Sequence, residues 1–367
     1  MKYALLVFFC SLVFCSRAMD KDTTGNFFLG FSKKVISLSK ESNPRNSLFP
    51  GYFEVVDVRP DTARIGLYTD WFLNIKRQTL FPEPVSKAIS YYLNRFSSKN
   101  AGNDTFRVVI KKLWISDLVI GHEEEIEDPE QYLRKSQMRL KAEIYLKSND
   151  RYFALIRFDT LAQFTKNAFF DESNEMAKVL DSMMASISHI DINWKRSSKK
   201  ALYWSEIDEY NRSVFEYNIF KDSIFNPGVY QKFDEFRNNA PSSIGYELVK
   251  KNKGFLLYLR DKKGLTYYTR DVWGICQGKD IYVMVEGMLY KASKEGNALY
   301  LLGSKQIEMK GSYPKRYPGD HDFSGSNPLY PAPGLLGNKT NTVPMFVAKP
   351  TKKMRPFCVD MESGEVY

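Results

Sequence analysis

The thiol of Cys276 is the side chain in this sequence best placed by type and spacing to do chemistry. It lies in Asp271-Val272-Trp273-Gly274-Ile275-Cys276-Gln277-Gly278-Lys279-Asp280, where a thiol beside a glycine turn with an aspartate nearby resembles a nucleophile. A cysteine nucleophile needs a base. The chain has 3 histidines, His122, His189 and His321, and none falls in the segment expected to form the core around Cys276. The simpler reading is a turn in which Gly278 takes a positive φ above packed Trp273 and Cys276. A hydrolase using Cys276 or an acidic pair is the alternative, and no residue is assigned a catalytic role.

His122 precedes Glu123-Glu124-Glu125-Ile126-Glu127-Asp128, which offers donors for a cation. Consecutive carboxylates point different ways in any regular structure, and the spacing matches neither a calcium loop nor a helical zinc pair. The segment reads as a solvated acidic loop, and no metal is expected. His189 ends a helix, where a cation favours the dipole. With no glycine-rich phosphate loop after a strand and no dinucleotide fingerprint, no cofactor is expected either.

The aromatic residues Phe255, Tyr258, Tyr267, Tyr268, Trp273, Tyr282, Tyr290 and Tyr300 are dense in the second half of the chain. Flat rings serve as platforms for sugars or peptides and equally as cross-strand packing. Tyr267, Trp273 and Tyr282 are the candidate binding residues, on the condition that they share an exposed face. Lys250, Lys251 and Lys253 with Arg260, Lys262 and Lys263 have the charge to meet phosphates, but export argues against a nucleic-acid partner.

Export is read from residues 1 to 18: Lys2, an apolar run from Ala4 to Cys15, then Ser16-Arg17-Ala18, the pattern of a cleaved secretory leader. Lipidation at Cys15 is the alternative, although Phe14 is a poor fit for the small residue that such a site places before its cysteine. Loss of Lys2 and Arg17 lowers the net charge of +10 to about +8, a mild basic excess spread over mixed faces. Cys10 and Cys15 leave with the leader, so Cys276 and Cys358 remain as a disulfide candidate whose loop would contribute about 4.5 kcal/mol. No other apolar run reaches the roughly twenty residues of a spanning helix. Asn103, Asn211 and Asn338 lie in glycosylation sequons.

These residues need elements to hold them. Residues 19 to 50 read as a loose lead-in. An α+β domain is expected over 51 to 194, with strands at Phe53 to Val58, Ala63 to Tyr68, Phe106 to Ile115 and Tyr152 to Phe158. The clearest strand alternates Met138, Leu140, Ala142, Ile144 and Leu146 with polar neighbours. One helix carries Val85, Ala88, Ile89, Tyr92 and Phe96 on one face, and another carries Met176, Val179, Leu180, Met183, Met184 and Ile187. The order β-α-β-β-β-α predicts an N-terminal antiparallel sheet with two helices. A basic linker is expected over 195 to 205. A small β-rich meander, barrel or sandwich, comes next over 206 to 310, then an extended tail rich in Pro, Gly and Lys over 311 to 356, and a closing segment over 357 to 367.

Three stretches carry a resemblance: Asp57-Val58-Arg59 leading to Ile65-Gly66; the Trp273-Gly274-Ile275-Cys276 turn followed by Lys279-Asp280-Ile281-Tyr282; and Phe357-Cys358-Val359-Asp360-Met361-Glu362-Ser363-Gly364-Glu365. In these the chain resembles uncharacterised exported proteins of Bacteroidota. The first domain is also similar in element order to small envelope lipoproteins that assist transport or assembly. The resemblance brings no catalytic residues. In those proteins the segment before the closing strand is often Gly-rich and apolar, whereas here it is shortened to Pro331-Ala332-Pro333-Gly334-Leu335-Leu336-Gly337. The expectation is an exported, periplasmic or surface-located, non-catalytic binding or assembly protein whose partner is an envelope protein or polymer. A purely structural assembly component is a further alternative.

Overall fold

The computed structural model describes residues 27–38, 51–70, 75–95, 97, 104–117, 135–165, 172–221, 225–243, 245–251, 253–260, 263–314 and 342–367. Residues 1 to 18, Phe96, the acidic run after His122, His321, the sequons at Asn103 and Asn338, and the stretch from Pro331 to Gly337 lie outside the described residues.

The first sheet contains β1 (Ser32–Val35), β2 (Tyr52–Asp57), β3 (Gly66–Thr69), β4 (Lys76–Leu80), β5 (Thr105–Asp117), β6 (Lys135–Ser148) and β7 (Arg151–Thr165). Its order is β1-β4-β3-β5-β6-β7, with β2 beside the first half of β5 and β3 beside its far end. Helices α1 (Val85–Asn94) and α2 (Glu172–Ser188) bury their apolar stripes against one face. Along β6 the alternation seen in the sequence holds, with Met138, Leu140, Ala142, Ile144 and Leu146 all in that core.

The expected all-antiparallel sheet is overturned, because β1–β4, β2–β5 and β3–β5 are parallel pairs. The β3–β4 hairpin and α1 carry the chain from the end of β2 back to the level where β2 began, so β5 enters alongside β2 in the same direction. The lead-in also contributes a strand: β1 pairs with β4, and Phe27, Phe28 and Phe31 pack against Tyr300 or its neighbours. Counting both sheets, the described residues are mostly β, with 49% strand and 23% helix, which overturns the expected α+β arrangement of one sheet with two helices.

A bulge in β5 decides which side chains face where. The core-facing set is Phe106, Val108 and Ile110 before it and Leu113 and Ile115 after it, because pairing with β6 skips between Ile110 and Lys112. Lys111 and Lys112 both end on the face away from α1 and α2. There Lys111 pairs with Glu143 at 3.5 Å, and Glu143 also accepts from the Tyr145 hydroxyl at 2.8 Å.

That second face is covered by the segment expected to be a linker and by the helix after it. Helix α3 (Ile192–Ser198) takes up most of the basic run, Leu202 bridges to Tyr152, and Ile207 of α4 (Trp204–Val214) packs on Val109, Tyr145 and Tyr152. Asn211 is buried, and its amide donates to the Ile207 carbonyl at 2.8 Å, which leaves no room for a glycan at that sequon.

The chain then passes through α5 (Asn218–Lys221), β8 (Gly228–Tyr230) and α6 (Phe233–Arg237) into β9 (Tyr246–Lys251), β10 (Gly254–Arg260), β11 (Thr266–Thr269), β12 (Gly274–Gln277), β13 (Asp280–Val285), β14 (Met288–Glu295), β15 (Ala298–Pro314) and β16 (Thr342–Cys358). These strands form one nine-stranded antiparallel sheet that does not close into a barrel. The meander is therefore larger than expected, and the expected extended tail supplies part of it, since β16 pairs with β15 over most of its length.

Candidate functional site

Where the first sheet splits, β2 is left with a free edge. The amides of Tyr52 and Val58 donate toward β5, so the even-numbered residues of β2 face their partner and Phe53, Val55 and Asp57 turn outward. Side chains of α1 complete the edge at Phe53: its N–H donates to Asn94 Oδ1 at 2.8 Å, and its carbonyl accepts from Asn94 Nδ2 at 2.9 Å and from Ser90 Oγ at 3.1 Å. One turn of strand further on this mimicry ends. The main-chain groups of Val55 and Asp57 on this edge have no hydrogen-bond partner among the described residues.

They border an open slot of about 700 Å³, lined by Val55, Val56, Asp57, Thr62, Ala63, the Phe81 to Pro84 corner and the first residues of α1. Two other edge strands carry exposed charges that discourage pairing: Arg157 and Asp159 on β7, Glu247 and Lys250 on β9. On β2 the charges are engaged elsewhere. Glu54 pairs with Arg107 and Lys147, which outweigh its burial and hold its carboxyl below the usual range. Asp57 is gripped by Arg59 through two 2.8 Å bonds, Nε to Oδ1 and Nη2 to Oδ2.

The grip on Asp57 belongs to the junction between the sheets. Arg59 also donates to the carbonyls of Arg64 and Leu113, at 2.7 and 3.1 Å. Next to it the Tyr300 hydroxyl donates to Asp61 Oδ2 at 2.6 Å, and Lys112 meets Asp360 at 2.6 Å. Burial would raise the Asp360 carboxyl, but the Lys112 ammonium, the Glu362 N–H and the Ser363 hydroxyl outweigh it and hold the group low. Burial pulls Lys112 down despite Asp360. The cavity among these residues is about 40 Å³, room for ordered water and too small for an organic substrate. The junction thus holds Asp57 in place at the border of the slot.

The candidates from sequence are dispersed. Tyr267 is exposed on β11. Trp273 is half-buried between Phe233 and Phe236, and its Nε1 donates to the Gly364 carbonyl at 2.9 Å. Tyr282 is buried in a separate cluster against Phe255. The three do not share a surface. Cys276 and Cys358 are both free and buried, on β12 and β16 with β13, β14 and β15 between them, so the candidate disulfide does not form. Burial pushes the Cys276 thiol up to about 12, against a hydrogen bond with Tyr230, and pushes Cys358 higher still. Both thiols are protonated at neutral pH and neither is a thiolate nucleophile.

Among the described residues no group of three His, Cys, Asp or Glu side chains is placed to hold a metal ion, and no helix is long and apolar enough to cross a membrane. The slot escaped sequence reading because its signal is main-chain: only Asn94 and Ser90, spaced one helical turn apart, hint that a strand edge is being capped. Comparison of the chain with protein-family models, curated proteins and solved structures finds no match.

Proposed function

We propose that the protein is an exported, non-catalytic binding or assembly component that takes up an extended segment of a partner polypeptide as an added strand on β2. The observation that carries this reading is the unpaired main chain of Val55 and Asp57 facing a slot of about 700 Å³. An added strand supplies the N–H and C=O groups that this edge lacks, while alternate side chains fall between Val55 and the Phe81 to Val85 wall. Export rests on the leader-like residues 1 to 18 and accords with a partner in the envelope or outside the cell.

The test uses a display library of short random peptides panned against the whole chain, with selected peptides measured by fluorescence anisotropy. Val55→Pro removes an amide that bonds nothing among the described residues, at an edge position where proline is tolerated. Binding should weaken roughly tenfold or more, the loss of one main-chain bond plus the bulk of the ring, with the unfolding midpoint unchanged. Selected peptides that bind Val55→Pro as well as the native chain would reject strand addition at β2.

A further inference from the structure

We propose that one face of β9, β10 and β11 is a second binding site, which takes a neutral, hydroxyl-rich polymer such as a glycan chain. Strand register puts Glu247, Tyr258 and Tyr268 in one cross-strand row. The next row is Gly245, Arg260 and Thr266, with the Arg260 N–H donating to the Gly245 carbonyl at 3.3 Å. Because side chains alternate across the pleat, these residues point to the same side of the sheet. Tyr258 is half-buried and the rest are exposed.

Two features make this face more than a solvated surface. First, it is hollowed: a depression of about 160 Å³ lies among Gly245, Glu247, Tyr258, Arg260 and Thr266. It exists because position 245 has no side chain, and a Cβ built there meets nothing nearer than the Arg260 Cβ at 4.0 Å. Second, its charges are unspent. Neither the Glu247 carboxylate nor the Arg260 guanidinium forms an ion pair or side-chain hydrogen bond with a described residue, although they flank the same hollow.

A carboxylate and a guanidinium that cancel in charge offer acceptors and a planar donor fork, the complement of adjacent hydroxyl groups. The Tyr258 and Tyr268 rings, with centroids 5.9 Å apart, give apolar faces for the C–H side of a sugar ring. Phosphate-bearing polymers are disfavoured by Glu247. A polypeptide strand would need main-chain pairing, which this face does not offer. The site is independent of the β2 slot and of the peptide reading drawn from it.

The experiment is native affinity electrophoresis of the full chain in gels cast with hydroxyethylcellulose, galactomannan or polygalacturonate. At least one neutral polysaccharide should retard the native chain. Gly245→Leu, whose Cβ meets nothing nearer than 4.0 Å and whose branch extends into the hollow, and Tyr258→Ala should restore free mobility, while Val55→Pro stays retarded. An unchanged unfolding midpoint for Gly245→Leu guards against misfolding as the cause. Free mobility in every neutral gel, retardation that survives Gly245→Leu, or retardation by polygalacturonate alone would each overturn the proposal.

Discussion

At the scale of single residues, the molecule spends its charged side chains on holding itself together. Lys112 and Asp360 are both largely buried, and each is tolerable there because of the other. Asp360→Asn strands the ammonium, and urea unfolding at pH 7 should show a loss of about 3 to 5 kcal/mol. The pH dependence has a definite sign. A carboxyl whose folded pKa is depressed adds stability above its unfolded value, near about 4, and loses it as pH falls through the lower folded value. The gap between native chain and Asp360→Asn should therefore shrink as urea titrations move from pH 5 to pH 3, whereas a constant gap would mean that Asp360 acts through packing alone. None of this is legible in the sequence, because 248 positions separate the partners. What the sequence does show is two adjacent lysines inside a strand of apolar residues, a conflict that only a bulge and two buried partners resolve.

At the scale of elements, the parts that read clearly are those whose pattern is local. Val85, Ala88, Ile89 and Tyr92 of α1, the stripe on α2 and the alternation of β6 reach the core as expected, since the period of 3.6 or 2 fixes the buried face without knowledge of partners. Parallel pairing was not legible, because an apolar strand looks the same whichever way its neighbour runs. The candidate aromatics failed for a related reason: Trp273 and Tyr282 are close in sequence, but they pack into different clusters. Gly66 shows how tightly one parallel contact is drawn. A Cβ there would lie 2.6 Å from the Ile115 carbonyl oxygen, so Gly66→Ala must push β3 away from β5. Thermal unfolding should report a loss of about 1 to 3 kcal/mol, the range for overpacking, and an unchanged midpoint would show that β3 is free to shift.

At the scale of the whole molecule, the two sheets are tied by contacts from opposite ends of the chain. The Phe27 N–H donates to Glu295 at 3.0 Å, Tyr300 packs with Phe28 and Trp114, and Arg355 reaches Asp117 at 3.3 Å and the Thr69 carbonyl at 3.2 Å. A segment that begins as a strand of the second sheet thus ends as a clasp on the first. Neither sheet keeps its junction residues satisfied without the other, so the chain should unfold in one transition rather than two. Near-ultraviolet dichroism, which tracks Trp114 at the junction and Trp273 in the second core, should coincide with far-ultraviolet dichroism across a urea titration. Arg355→Met sharpens the test, because it removes the guanidinium that pairs with Asp117, whose side chain is 2% exposed and also accepts from the Thr69 N–H at 3.1 Å. The loss should be about 3 to 5 kcal/mol, and adding Asp117→Leu should recover part of it, since the apolar pair removes the buried carboxylate but leaves the Thr69 N–H without that acceptor. If the double variant instead stays as unstable as Arg355→Met, or if the two signals separate, the sheets are independent units and the clasp is a surface contact between them.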